Sequence, residues 1–132
     1  MTDKQLIDSA ISVMANAYTP YSHFKVGAAL LTKSGKVFTG CNIENASFSP
    51  TVCAERTAFF KAISEGETYF SKIAVVGGQD GKITDCCTPC GVCRQVMSEF
   101  CNEAFEIILY NGKDAKTLTL ADLLPYSFKL DK

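Results

Sequence analysis

Apolar residues recur at helical intervals near the start of the chain, where Leu6, Ile7, Ala10, Ile11, Met14 and Ala17 would share one face. Thr2 and Gln5 stand at the spacing of a capping box, and Pro20 closes the segment, so the pattern predicts a first helix from about Asp3 to Ala17. The period then changes. Val26-Gly27-Ala28-Ala29-Leu30-Leu31 is an apolar run of strand length, Lys33 to Lys36 is a turn, and Val37 to Cys41 is a second strand, together a hairpin. Asn42 to Pro50 is polar and punctuated, which suits a ligand-binding loop.

A second helix is expected from Cys53 to about Ser64, with Ala58, Phe59, Ala62 and Ile63 on a broad apolar face and Gly66 beyond its end. Ile73-Ala74-Val75-Val76 lacks alternation and reads as a central strand buried on both faces. A polar loop leads to Pro89-Cys90, a third helix from about Gly91 to Cys101, and a fourth strand from Phe105 to Tyr110 ended by Asn111-Gly112. Leu118 falls on a short fifth strand, followed by one helical turn through Asp122 to Leu124 and a tail ending Tyr126-Ser127-Phe128. The order α-β-β-α-β-α-β-β predicts an α/β protein, a three-layer α/β/α sandwich around a mixed, roughly five-stranded sheet. With no linker and no repeat, residues 1–132 are expected to form one domain.

Composition narrows the function. Thirteen Lys plus Arg oppose fourteen Asp plus Glu, and Arg56 and Arg94 are the only arginines. No basic stripe of the kind that binds a nucleic acid polymer is present, so a small ligand is expected. No apolar run approaches the length of a membrane helix. A hydrophobic share of 47% is high for so small a protein and points to apolar surface buried between subunits. The seven cysteines are odd in number, Cys86 and Cys87 are adjacent, and the first residues lack the apolar core of a signal peptide. The expectation is therefore free thiols in a reducing, cytoplasmic setting rather than a disulfide framework.

Those cysteines carry the candidate chemistry. Cys53-Ala54-Glu55 and Pro89-Cys90-Gly91-Val92-Cys93 compose a divided site for one zinc ion, with Cys53, Cys90 and Cys93 as thiolate ligands. No fourth Cys or His completes the set, which fits a catalytic zinc with one position open to water. Both ligand groups sit where helices begin, and helix N-termini stabilise thiolates. Glu55 lies about 200° around the helix from Cys53, yet in a first turn both reach a point beyond the helix end. There the carboxylate would exchange protons with water and substrate. Three thiolates leave the centre negatively charged, and Arg56 is the natural donor to draw charge from a sulfur. Cys87-x-x-Cys90-x-x-Cys93 also imitates an iron–sulfur run, although that reading leaves Cys53 and Glu55 without a role.

Four stretches, Tyr18 to Ala28, Gly40 to Ser47, Cys53 to Arg56 and Pro89 to Gln95, resemble the cytidine deaminase family in its short, homotetrameric, three-cysteine branch. The resemblance covers nearly the whole chain. It implies zinc-dependent hydrolysis of cytidine and 2'-deoxycytidine to the uridines and ammonia, in pyrimidine salvage. Zinc-bound hydroxide would attack C4 while Glu55 shuttles protons. It also implies one zinc per subunit. By matched motif, Phe24 would pack on the pyrimidine, Asn42 and Glu44 would bind the ribose hydroxyls, and the Ala54 backbone would meet the base edge. Phe128 would reach into a neighbouring subunit's site, which would make a homotetramer necessary. His23 is expected at the pocket edge or surface, not on the metal. Blasticidin deamination is a competing activity within the same chemistry, and a redox or iron–sulfur carrier competes from outside it. The Asn42-x-Glu44 pair favours a nucleoside.

Overall fold

The computed structural model describes residues Met1–Lys132. Its elements run α1 (Asp3–Met14), β1 (Phe24–Thr32), β2 (Val37–Cys41), α2 (Ala54–Ser64), β3 (Phe70–Gln79), α3 (Gly91–Phe100), β4 (Glu106–Tyr110), β5 (Ala115–Thr119) and α4 (Leu120–Leu123). The capping box at the start of α1 is formed: Gln5 N donates to Thr2 Oγ1 at 3.1 Å, and Thr2 N to Gln5 Oε1 at 2.9 Å. The helix stops at Met14 rather than Ala17. The amides of Asn16 and Ala17 turn back to the Val13 and Met14 carbonyls at 3.0 and 3.1 Å, short-range bonds that tighten the end.

The sheet has five strands in the order β2-β1-β3-β4-β5. β3 pairs parallel with β4, whereas β1 pairs antiparallel with both β2 and β3, and β5 antiparallel with β4. Register sorts the side chains into two cores. Ala29, Ala74 and Ile108 are opposite one another and meet Leu6, Ile7, Ala10 and Met14 of α1 on one face. Leu30, Ile73 and Ile107, with Ala28, Val75 and Leu109, face the other way against Ala58, Phe59 and Ala62 of α2 and Met97 of α3. That alternation is the two-residue period of a strand covered on both sides. Phe59 anchors the second core, its ring 4.9 Å from that of Phe70 in an edge-on contact, a geometry worth about 0.5–1.5 kcal/mol beyond area burial. The result is the mixed sheet between helical layers that the element order predicts.

The parallel pair fixes where the helices start. Residues 65–69 return the chain from α2 into β3, and residues 101–105 return it from α3 into β4. Because β3 and β4 run the same way, α2 and α3 do too, and both begin at the same end of the sheet, on the same face. The start of α2 is also pressed against β2: a Cβ on Gly40 would lie 2.5 Å from the Ala54 carbonyl and 2.6 Å from the Ala58 amide. Beyond α4 the tail crosses the end of α3, where Lys129 Nζ donates to the Cys101 carbonyl at 3.0 Å. No helix is long and apolar enough to cross a membrane.

Gly40 is thus expected to set the seating of the residues at the head of α2. Gly40→Ala should lower stability in urea denaturation by about 1–3 kcal/mol, the usual cost of overpacking, and should reduce bound zinc per folded chain. An unchanged urea midpoint with full zinc content would show that the helix does not depend on this close approach.

Candidate active site

Cys53 and Cys90 are the N-cap residues of α2 and α3, both in extended conformation (φ −76°, ψ 156° and φ −68°, ψ 168°). They are not the first helical residues, as the periodicity suggested for Cys53. The position is usually given to Ser, Thr, Asp or Asn, whose side chains bond the first free amides. Neither cysteine makes such a bond, so both sulfurs remain available. Cys93 projects from the first turn of α3 to the same point. The three Sγ atoms lie within 4.8 Å of one another, with Cys53 to Cys90 and Cys90 to Cys93 each 3.6 Å apart. A tetrahedron built on zinc–sulfur bonds of about 2.3 Å separates its sulfurs by about 3.8 Å, so the trio fits the ion.

The electrostatics fit as well. Cys53 is pulled down to about 5, first by its hydrogen bond with Cys93 and, against the cost of burial, by Arg56 and Cys90. Cys93 is driven up by that same hydrogen bond, then by burial and the charges of Glu55 and Cys53. Cys53 and Cys93 thus share one proton across their hydrogen bond, and a bound cation could take its place. Arg56 Nη2 donates to Cys53 Sγ at 3.4 Å, where the sequence expectation placed it, while its buried Nε has no partner.

Glu55 stands in the first turn of α2 with 4% of its surface exposed. Burial pushes its carboxyl up to about 7, reinforced by the Cys53 charge and opposed by hydrogen bonds from its own backbone and from Cys93. A carboxyl in that range exchanges protons readily near neutral pH. Ala54, before it, is fully buried, and as the first residue of α2 its N–H has no acceptor within the helix.

A second group gathers where β1 begins. Asn42 Nδ2 donates to the Phe24 carbonyl at 2.8 Å, and the Val26 amide donates to Asn42 Oδ1 at 2.9 Å. Glu44 Oε1 accepts from the Tyr21 and Ser22 amides, both at 3.1 Å, and Oε2 accepts from the Ser22 hydroxyl. That hydroxyl bond, ahead of the backbone bonds, holds the carboxyl below its ordinary value. Tyr18 and Val52 clamp the segment from either side: Glu44 N donates to Tyr18 O at 2.9 Å, and Ile43 and Val52 exchange two bonds of 3.0 Å. Val52 immediately precedes Cys53, so this loop and the cysteine cluster share one backbone. A cleft of about 390 Å³, lined by Tyr21, Ser22, Glu44, Asn45, Phe48 and Thr51, opens beside it. None of the cysteines lines this cleft, and neither does any lysine or arginine.

The remaining site residues scatter. Phe24 is 38% exposed at the head of β1, whereas Phe128 is 65% exposed in the tail and lines none of these features. His23 is exposed, in the left-handed region at φ 58°, and stands apart from the cysteine trio. Cys87 is no member of that trio either. It packs on the core and is pushed up to about 12 by burial. Sequence reasoning missed Ser22, whose partner Glu44 is 22 residues away. It also missed Arg94, whose only signal was its rarity. Arg94 Nε donates to the Pro89 carbonyl at 2.8 Å and Nη1 to the Leu123 carbonyl at 2.7 Å.

Comparison with known proteins bears on this arrangement directly. The family model for the cytidine and deoxycytidylate deaminase zinc-binding region matches residues 1–109, a span that contains every cysteine of the cluster and Glu55 but ends before Phe128. A cytidine deaminase from Sporosarcina psychrophila is 48% identical over 129 residues, 97% of this chain and 92% of that one. The crystal structure of cytidine deaminase from Burkholderia pseudomallei superposes with a TM-score of 0.89 at 47% identity, covering 97% of this chain and 100% of the other. Blasticidin-S deaminase from Bacillus cereus is 33% identical over 130 residues, 96% of this chain and 91% of that one. With the family model spanning most of the chain and such relatives matching it nearly end to end, the protein belongs to the cytidine and deoxycytidylate deaminase family.

Proposed function

We propose that the protein hydrolyses cytidine and 2'-deoxycytidine to uridine and 2'-deoxyuridine with release of ammonia, a cytoplasmic reaction of pyrimidine salvage. The observation that carries this reading is the convergence of Cys53, Cys90 and Cys93 on one point with Glu55 buried beside them. Cys53, Cys90 and Cys93 would hold one zinc per subunit. When bound, the metal supplies Lewis acidity that makes water a nucleophile at neutral pH. Arg56 would withdraw charge from the Cys53 sulfur and so preserve that acidity.

The chain's own groups then account for orientation and proton transfer. Glu55 takes a proton from the attacking water and returns protons to the base, the last to the amino nitrogen at C4, which departs as ammonia. Burial keeps this carboxyl near neutrality, so it both accepts and donates. The free N–H of Ala54 meets the base edge, and the Phe24 ring packs on the pyrimidine face. Asn42 keeps one donor and one acceptor site after its two backbone bonds, and Glu44 Oε2 keeps one acceptor site. These remaining sites would bind the ribose hydroxyls. Phe128, exposed in its own subunit, would complete the pocket of a neighbour in a homotetramer.

Glu44 also argues for a nucleoside rather than a nucleotide. Its carboxylate borders a cleft with no Lys or Arg in its lining, and a phosphate there would meet a like charge without compensation. The ribose-directed pair likewise disfavours blasticidin S as the principal substrate. In an ultraviolet assay of the zinc-loaded enzyme, cytidine and deoxycytidine should be turned over, with kcat/KM for deoxycytidine 5'-monophosphate lower by on the order of a hundredfold. A preference for the monophosphate, for free cytosine or for blasticidin S would overturn the substrate assignment.

Glu55→Gln should retain one zinc per chain and the native fold while turnover drops by about 10²–10⁴, the typical worth of a general acid–base group. Near-normal turnover in the zinc-replete variant would remove Glu55 from the reaction.

A further inference from the structure

Arg94 is half-buried in the first turns of α3, directly after Cys93. No carboxylate lies within ion-pair distance of it, since none of the ion pairs in the chain involves an arginine. Its guanidinium instead holds two backbone carbonyls from distant parts of the chain, Pro89 O at 2.8 Å and Leu123 O at 2.7 Å. Each belongs to a particular peptide unit. The Pro89 carbonyl shares its plane with the Cys90 amide, so holding it orients the residue that presents a sulfur to the metal. The Leu123 carbonyl shares its plane with the Leu124 amide, which itself donates to Leu120 O at 2.8 Å.

Leu124 is where the chain leaves α4, at φ −141° and ψ 71°. Pro125 follows and restricts it to extended conformations, and Tyr126 then turns at φ 56°. The tail therefore departs from the peptide unit that Arg94 grips. Farther on, Lys129 is tied to the C-terminal end of α3 at Cys101. Phe128 lies between these two ties. A lysine could not substitute at the first of them, because one ammonium on a flexible stem does not span two carbonyls as a planar fork does.

We infer that Arg94 is a positioning residue that ties the base of the C-terminal tail to the Cys90 segment, so that the tail carrying Phe128 is anchored beside the metal site by a single side chain. The inference rests on the deaminase reading for its kinetic arm only. The structural arm stands without it.

The test uses the full-length chain carrying Arg94→Met or Arg94→Lys, each checked for thermal stability and zinc content. Amide hydrogen exchange at Leu124, whose N–H donates to the Leu120 carbonyl, should accelerate at least about tenfold in Arg94→Met, the scale of losing charge-assisted hydrogen bonds. Zinc should stay at one per chain. KM for cytidine should rise about tenfold while kcat changes little, and Phe128→Ala added to Arg94→Met should raise KM no further. Arg94→Lys should recover the thermal stability but not the protection of the Leu124 amide. Unchanged exchange at Leu124 would overturn the coupling. So would loss of zinc together with a collapse of kcat, or additive effects of the Arg94 and Phe128 substitutions. If the unsubstituted protein does not turn over cytidine, the deaminase reading fails, and the exchange measurement still decides the role of Arg94.

Discussion

Everything at the candidate site depends on two helices being made to begin at one place. The parallel pairing of β3 with β4 forces this, because each strand receives the helix that precedes it through a short return. The positive ends of α2 and α3 are thereby aimed at a common point, and each is capped by a cysteine that makes no capping bond. Such ends favour anionic sulfur. Cys93 and a buried Glu55 stand beside them, and the hydrogen bond between Cys53 and Cys93 pulls one thiol down and drives the other up. The three sulfurs are spaced to hold a dication.

The loop from Asn42 to Glu44 is subordinate to the same constraint. It is stitched to Val52, the residue before Cys53, and to Tyr18. Asn42 and Glu44 in turn hold the backbone of Tyr21, Ser22, Phe24 and Val26. The same polar side chains thus shape the loop, and Glu44 also lines the cleft. Their structural role leaves room for the proposed binding one, although in sequence either alone would explain them.

Much of this was legible in one dimension. The capping box at Thr2, the helical spacing of Leu6 through Met14, the unbroken apolar run at Ile73 and the Cys-x-Glu and Pro-Cys-x-x-Cys motifs all encode local chemistry, and all stand in the structure as expected. What was not legible depends on contacts between distant segments. Strand order cannot be read from apolar runs that look alike. The end of α1 at Met14 rather than Ala17 reflects a tightened last turn, which periodicity does not register. Cys53 as a cap rather than a helical residue reflects the chain's approach out of Val52. Ser22 and Arg94 were hidden because their partners lie far along the chain. Cys87 imitates a ligand by spacing, a reading that left Cys53 and Glu55 without a role, and in the structure it packs against the core outside the trio.

The central claim is that three thiolates hold a zinc ion with one position left to a non-protein ligand. Zinc-edge X-ray absorption on the purified, metal-replete protein tests it without reference to turnover. The account predicts one zinc per chain, surrounded by three sulfurs at about 2.3 Å and one oxygen or nitrogen at about 2.0 Å. Four sulfurs, which would bring Cys87 or another thiol into the shell and close the site, would contradict it, and so would a chain purified with iron and sulfide in place of zinc.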